Sequence, residues 1–176
     1  MSELELREGA GESEFDERYQ ELRELHGAIF REALGEVPRR AALTVDASAS
    51  VADAVTAMNE RHVGCALVVR DGKLAGIFTE RDVLRRVVAA GVDVRATAVE
   101  KVMTKDPDVL PETASIAYAL REMSGRGYRH IPLVDEERRP VGVVAVRDIV
   151  RWLVDLFPPA IFDLPEPSVP KAADGA

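Results

Sequence analysis

The stretch GIFTERDVLRR (76–86) returns 66 positions later as GVVAVRDIVRW (142–152). Gly76, Arg81, Asp82 and Arg85 recur as Gly142, Arg147, Asp148 and Arg151. Further out, Ser50, Ala52, Ala54 and Met58 correspond to Ser115, Ala117, Ala119 and Met123, and Val69 to Val134, at an offset of 65. The one-residue difference falls between RDGK (70–73) and DEERRP (135–140), which read as turns, where insertions are tolerated. The chain is therefore two copies of one unit, and each copy keeps the Gly and the Asp of that junction.

Each copy reads as strand, helix, strand, turn, strand, helix. In the first, LTV (43–45) is a short strand, and SVADAVTAMNE (50–60) places Val51, Val55 and Met58 on one helical face. CALVV (65–69) and LAGIF (74–78) are apolar strands joined at Asp71-Gly72, a strong hairpin signal. ERDVLRRVVAAG (80–91) is a helix closed by Gly91. The second copy repeats this with DVL (108–110), SIAYALREM (115–123), HIPLVD (130–135), PVGVVAV (140–146) and RDIVRWLVDLF (147–157), stopped by Pro158-Pro159.

The flanks differ from the repeats. Residues 15–35 carry Phe15, Tyr19, Leu22, Leu25, Ile29 and Ala33 at helical spacing with a charged opposite face, which predicts an amphipathic helix. Residues 158–176 hold five of the ten prolines and predict a Pro-rich tail. Four regions follow: an acidic extension with a helix (1–36), two repeats (37–95 and 96–157) and the tail (158–176).

Charge excludes some partners. Residues 1–36 hold eleven acids against four bases, so nearly all of the net charge of -8 lies there. A chain without a basic surplus is poorly suited to neutralise nucleic-acid phosphates. No apolar run approaches the roughly 20 residues a membrane helix needs. The acidic opening MSELELREGAGE and the single cysteine, Cys65, lead us to expect a cytoplasmic protein without disulfides. His26, His62 and His130 lack metal-site spacing, and there is neither a Walker A run nor a nucleophile elbow. The expectation is a protein that is not an enzyme and requires no cofactor.

The doubled pattern, an apolar strand, a hairpin and GIFTERD in one copy, RHIPLVD with GVVAVRD in the other, resembles the cystathionine β-synthase (CBS) domain over residues 37–156. VEKVMTKDP (99–107) is similar to that family's usual lead-in. The resemblance implies an α+β tandem pair with pseudo-twofold symmetry, two clefts between the halves that bind adenine nucleotides, assembly as a homodimer and regulation of an unknown protein target.

The residues admit two compatible readings. Thr79 and Asp82 are spaced as an N-cap and a first-turn acid, which by itself explains them. A carboxylate also suits a ribose diol, and in the related family this Asp contacts the ribose, so the role carries to Asp82 and Asp148, with Arg81 and Arg147 beside them. The phosphate role of the family's hydroxyl carries to Thr79 only. Ala145 stands at the second copy's position, which predicts a weaker phosphate grip there. Arg129, His130, Ile131 and Pro132 supply a basic approach at the mouth of the strand, where the first copy has Gly64 and Cys65. Two alternatives stay open: a structural dimerisation or protein-interaction module with vestigial clefts, and a sensor of S-adenosylmethionine or another adenosyl ligand.

Overall fold

The computed structural model describes residues 32–39 and 41–156, together with Gly27. The apolar stripe predicted from Phe15 to Ile29 and the Pro-rich tail from residue 158 lie outside the described residues. The helix predicted to reach residue 35 does not extend that far. Ala33 is extended, and Leu34–Glu36 form a single 3-10 turn. Here the backbone bonds elsewhere: Leu34 and Gly35 donate to Ala114 O and Glu112 O at 2.8 and 2.9 Å.

In the first half, β1 (Thr44–Asp46) leads to α1 (Val51–Arg61), then β2 (Cys65–Arg70), β3 (Lys73–Thr79) and α2 (Glu80–Asp82), which continues as π-helical Val83–Val88. A 3-10 turn (Val99–Lys101) and β4 (Thr104–Lys105) follow. The second half has α3 (Ile116–Arg126), β5 (His130–Val134), β6 (Pro140–Ala145) and α4 (Val146–Asp155). The first sheet has the order β1-β2-β3-β4, with β1 parallel to β2 and the other pairs antiparallel. The second sheet is the antiparallel pair β5-β6.

Local signals account for most of this. Ser50 Oγ accepts from Asp53 N at 3.0 Å and Ser115 Oγ from Tyr118 N at 3.3 Å, so each copy starts its first helix with a serine cap. Asp71 and Gly72 both take positive φ in the two-residue hairpin. Gly91 has φ +62, as a terminating glycine requires, although the helix already ends at Val88.

One expected strand is missing. DVL (108–110) is reduced to a single parallel bridge between Leu110 and Leu133. In the first half the matching ladder is held by Leu67 N, which donates to Leu43 O at 2.8 Å. The residue equivalent to Leu67 is Pro132, which has no N–H to give.

The two halves exchange their lead-in segments. Leu34 and Val37 are buried in the second core, with Ile116, Ile131, Leu133, Val144 and Ile149. Val99, Val102 and Met103 are buried in the first, with Val51, Met58 and Phe78. The bridges Ala33–Ser115 and Ser50–Ala98 mark the same exchange at an offset of 65. A third cluster, Cys65, Leu67, Leu74, Ile77 and Val134, joins the two sheets.

The repeated glycine serves this exchange. A Cβ at Gly76 would lie 2.7 Å from Thr104 O and against Met103 Sδ, both from the crossing lead-in. At Gly142 the nearest atom is Arg39 Nε, 2.9 Å away on a flexible side chain. Gly76→Ala is therefore expected to destabilise the protein by about 1–3 kcal/mol, through overpacking against backbone. Gly142→Ala should cost less. Urea denaturation of both variants checks this, and the reverse order would contradict it.

Candidate functional site

The first junction forms a complete capping box. Thr79 N and Thr79 Oγ1 donate to Asp82 Oδ2 at 2.9 and 2.7 Å, and Asp82 N donates back to Thr79 Oγ1 at 3.3 Å. The other carboxylate oxygen is 3.4 Å from the donating Thr104 Oγ1 and 3.5 Å from Arg86 Nη1. Asp82 is 7% exposed, the one buried charged residue among those described.

The second junction is half of this. Ala145 N donates to Asp148 Oδ2 at 3.1 Å, and no hydroxyl is available to join it. Among the described residues the nearest cation, Arg147 Nε, is 3.9 Å from Asp148 Oδ1. Asp148 therefore keeps lone pairs that Asp82 has committed.

Each Asp faces its own cleft. One, of about 270 Å³, contains Thr79, Arg81, Asp82, Arg129 and His130. The other, of about 420 Å³, contains Arg147, Asp148 and again His130. Gly64 and His130 line both, so the clefts meet at a saddle between β2 and β5. Ile131 and Pro132 line neither; both are buried, Ile131 in the second core. Arg85 and Arg151, visible in the repeat, line the Asp82 and Asp148 clefts respectively and belong with the candidate residues. Nothing short of the fold signals that Leu43, Val63 and Arg39 also line the Asp148 cleft, because they come from the exchanged segments and the opposite half.

The arginines are not equivalent. Arg81 Nη1 donates to Gly127 O at 2.9 Å, Arg86 bonds Met103 O, and Arg126 pairs with Glu122 and Asp108. Arg85 and Arg129 make no ion pair with a described residue. Among the described residues they are the uncommitted cations of the Asp82 cleft. At the saddle, burial pulls the His130 pKa below its ordinary value, helped by Arg129 and Arg147. Burial pushes the Cys65 thiol up to about 12, which leaves it unreactive at neutral pH. Among the described residues no group of three or more His, Cys, Asp or Glu could hold a metal ion, and no helix is long and apolar enough to cross a membrane.

This doubled unit matches the family model of the CBS domain twice, over residues 34–89 and 99–155. The chain belongs to the CBS-domain family. Among relatives of this CBS pair, an uncharacterized 17.7 kDa protein of Acidianus ambivalens is 32% identical over 113 residues, covering 64% of this chain and 67% of that one. The mitochondrial CBS domain-containing protein CBSX3 of Arabidopsis thaliana is 36% identical over 111 residues, 60% of this chain; the match spans about half (53%) of the Arabidopsis protein. A crystal structure of an uncharacterized conserved protein from Pyrococcus horikoshii superposes with a TM-score of 0.64 at 28% identity, over 70% of this chain and 92% of that one. Two structures share the fold at lower identity. A CBS protein of Pyrobaculum aerophilum complexed with AMP is 22% identical, with a TM-score of 0.62 over 70% of this chain and 99% of that one. The CBS pair of protein MJ0100, complexed with 5'-methylthioadenosine and S-adenosyl-L-methionine, is 24% identical, with a TM-score of 0.63 over 69% of this chain and 98% of that one.

His130 gives the saddle a pH signature. Its folded pKa lies below the unfolded value of ~6.5, so the unfolded chain takes up the proton first as the pH falls. Its contribution to stability is full above about pH 6.5 and is lost as the pH falls from there to the folded pKa. His130→Gln should flatten that acid limb in urea denaturation between pH 7.5 and 5.5; an unchanged slope would contradict the assignment.

Proposed function

We propose that this CBS pair is a regulatory module that binds an adenosyl ligand in the clefts between its halves and signals by changing their contacts. The observation that carries the reading is the paired clefts meeting at Gly64 and His130, each with an Asp at the start of a helix. A carboxylate accepts both hydroxyls of a ribose diol, and uncommitted arginines beside it suit phosphate. The AMP complex of the Pyrobaculum relative and the methylthioadenosine and S-adenosylmethionine complex of MJ0100 support an adenosyl ligand in this fold.

A ligand shifts a conformational equilibrium only by its differential affinity for the two states. The halves are tied by the exchanged lead-ins, so a ligand bridging the saddle acts on both cores. The reading assigns the chain no catalytic step and no required cofactor. It places the protein in the cytoplasm as a homodimer acting on a protein target that the chain itself does not name. The commitment of the Asp82 carboxylate to its own cap favours a second reading for that cleft, as a structural joint.

Arg129 tests the phosphate element. It has no ion pair among the described residues and stands beside His130, where the first copy has Gly64. Arg129→Ala should weaken AMP binding by roughly tenfold or more, the loss of a charge-assisted hydrogen bond of about 1.5–3 kcal/mol, and leave adenosine binding nearly unchanged. Calorimetric titration with both ligands checks this. Equal losses for the two would make Arg129 structural.

A further inference from the structure

We infer that Arg86 couples the Asp82 cleft to the lead-in of the second repeat, so that a ligand in this cleft moves a segment that joins the two halves. The inference rests on the reading above and concerns what the cleft transmits.

The contacts run in one line. Arg86 lines the Asp82 cleft, and its Nη1 stands 3.5 Å from Asp82 Oδ1. The same Nη1 donates to Met103 O, and to Val102 O at 3.3 Å. Thr104 Oγ1 adds a direct contact, 3.4 Å from Asp82 Oδ1. Val102 and Met103 are buried in the first core, although they belong to the lead-in of the second repeat. One carboxylate oxygen thus meets the lead-in twice. Both contacts are at the long limit of hydrogen-bond length, whereas Thr79 donates to Oδ2 at 2.9 and 2.7 Å. A ligand hydroxyl at Oδ1 displaces Thr104 and Arg86 first and leaves the Thr79 capping box standing. A ligand that favours the released arrangement shifts the lead-in toward it.

The second half has no such line. At the 66-residue offset Trp152 replaces Arg86 and packs against the second core. At the 65-residue offset Arg39 replaces Thr104. Arg39 Nη1 donates to Leu34 O, Gly35 O and Val37 O at 3.0, 3.2 and 3.2 Å, all within its own lead-in. Among the described residues, no hydrogen bond or ion pair joins Asp148 to that segment. The backbone differs as well. Arg86 sits in the π-helical Val83–Val88, where Ala89 N donates to Leu84 O, whereas α4 is a regular α-helix. Single π turns recur at functional sites.

Met103 reports the coupling. It is one of four methionines, with Met1, Met58 and Met123, so methyl-labelled methionine gives few NMR signals. Met103 does not line the cleft, so its response is not a ligand contact. Met58 and Met123 hold corresponding places in the two cores and serve as references. Saturating AMP is expected to shift the Met103 methyl signal more than either reference. Arg86→Leu should abolish that excess at saturation, and Thr104→Val, which keeps the side chain's size, should reduce it. Arg85→Leu, in the same cleft but without a described bond to the lead-in, should weaken AMP binding and keep the shift at saturation. A purely structural Arg86 would lower the melting temperature on substitution and leave the shift in place. A Met103 signal that ignores saturating AMP, or that responds alike in wild type, Arg86→Leu and Thr104→Val, would overturn the coupling and leave the adenosyl reading intact. Absence of binding by adenosine, AMP and S-adenosylmethionine would overturn both.

Discussion

Leu34 and Val37 stand at the N-terminal edge of the first repeat, yet they are fully buried among Ile116, Ile131, Leu133 and Ile149 of the second. Val99 and Val102 follow the first repeat and complete its core against Val51 and Phe78. Each half thus lacks a wall until the other end of the chain supplies it. Fully burying one such side chain is worth about 1.5–3 kcal/mol, so the exchange is a substantial part of what holds the halves in one body. It also requires the lead-in to cross the last strand closely, which is why a glycine stands at 76. The clefts inherit their geometry from this arrangement. Arg39 and Leu43 reach the Asp148 cleft, and Thr104 the Asp82 cleft, because they sit on or next to exchanged segments.

On that frame the two junctions carry the same fold and different chemistry. Both Asp residues accept a backbone N–H from the end of the preceding strand, at 2.9 and 3.1 Å, so both are part of the helix start. The hydroxyl of Thr79 adds two more bonds, donating to Asp82 Oδ2 and accepting from Asp82 N, and its Asp is buried. Ala145 omits it and leaves its Asp half-buried. A cap of this type is worth about 1 kcal/mol, a modest loss for a molecule whose cores are otherwise complete.

Much of this was legible in the residues. The doubled Gly and Asp, the serine caps at 50 and 115 and the Asp71-Gly72 hairpin all rest on local rules, and the family match over both repeats agrees with them. The illegible parts are non-local. DVL (108–110) has the composition of a strand, but its partner is Pro132, 22 positions or more away, which cannot complete the ladder. Ala33 continues a helical spacing, but its neighbours bond Ala114 and Glu112 instead. Ile131 and Pro132 stand beside the basic pair in sequence, but β5 is buried on both faces, so both lie in the interior and only His130, at the strand's start, stays at the saddle. Arg126 and Tyr128 both bond Asp108, a polar trio equally silent in sequence, since its members come from two loops and a helix end.

On this reading a ligand is held between the halves, on an Asp at a helix start and beside His130. A crystal structure of the protein grown with AMP tests it most directly. The expected result is nucleotide density in a cleft between the halves, with the ribose hydroxyls on the Asp148 or Asp82 carboxylate and the phosphate toward the saddle of Gly64 and His130. Nucleotide bound away from both clefts, or both clefts empty at a concentration that saturates binding in solution, would contradict it.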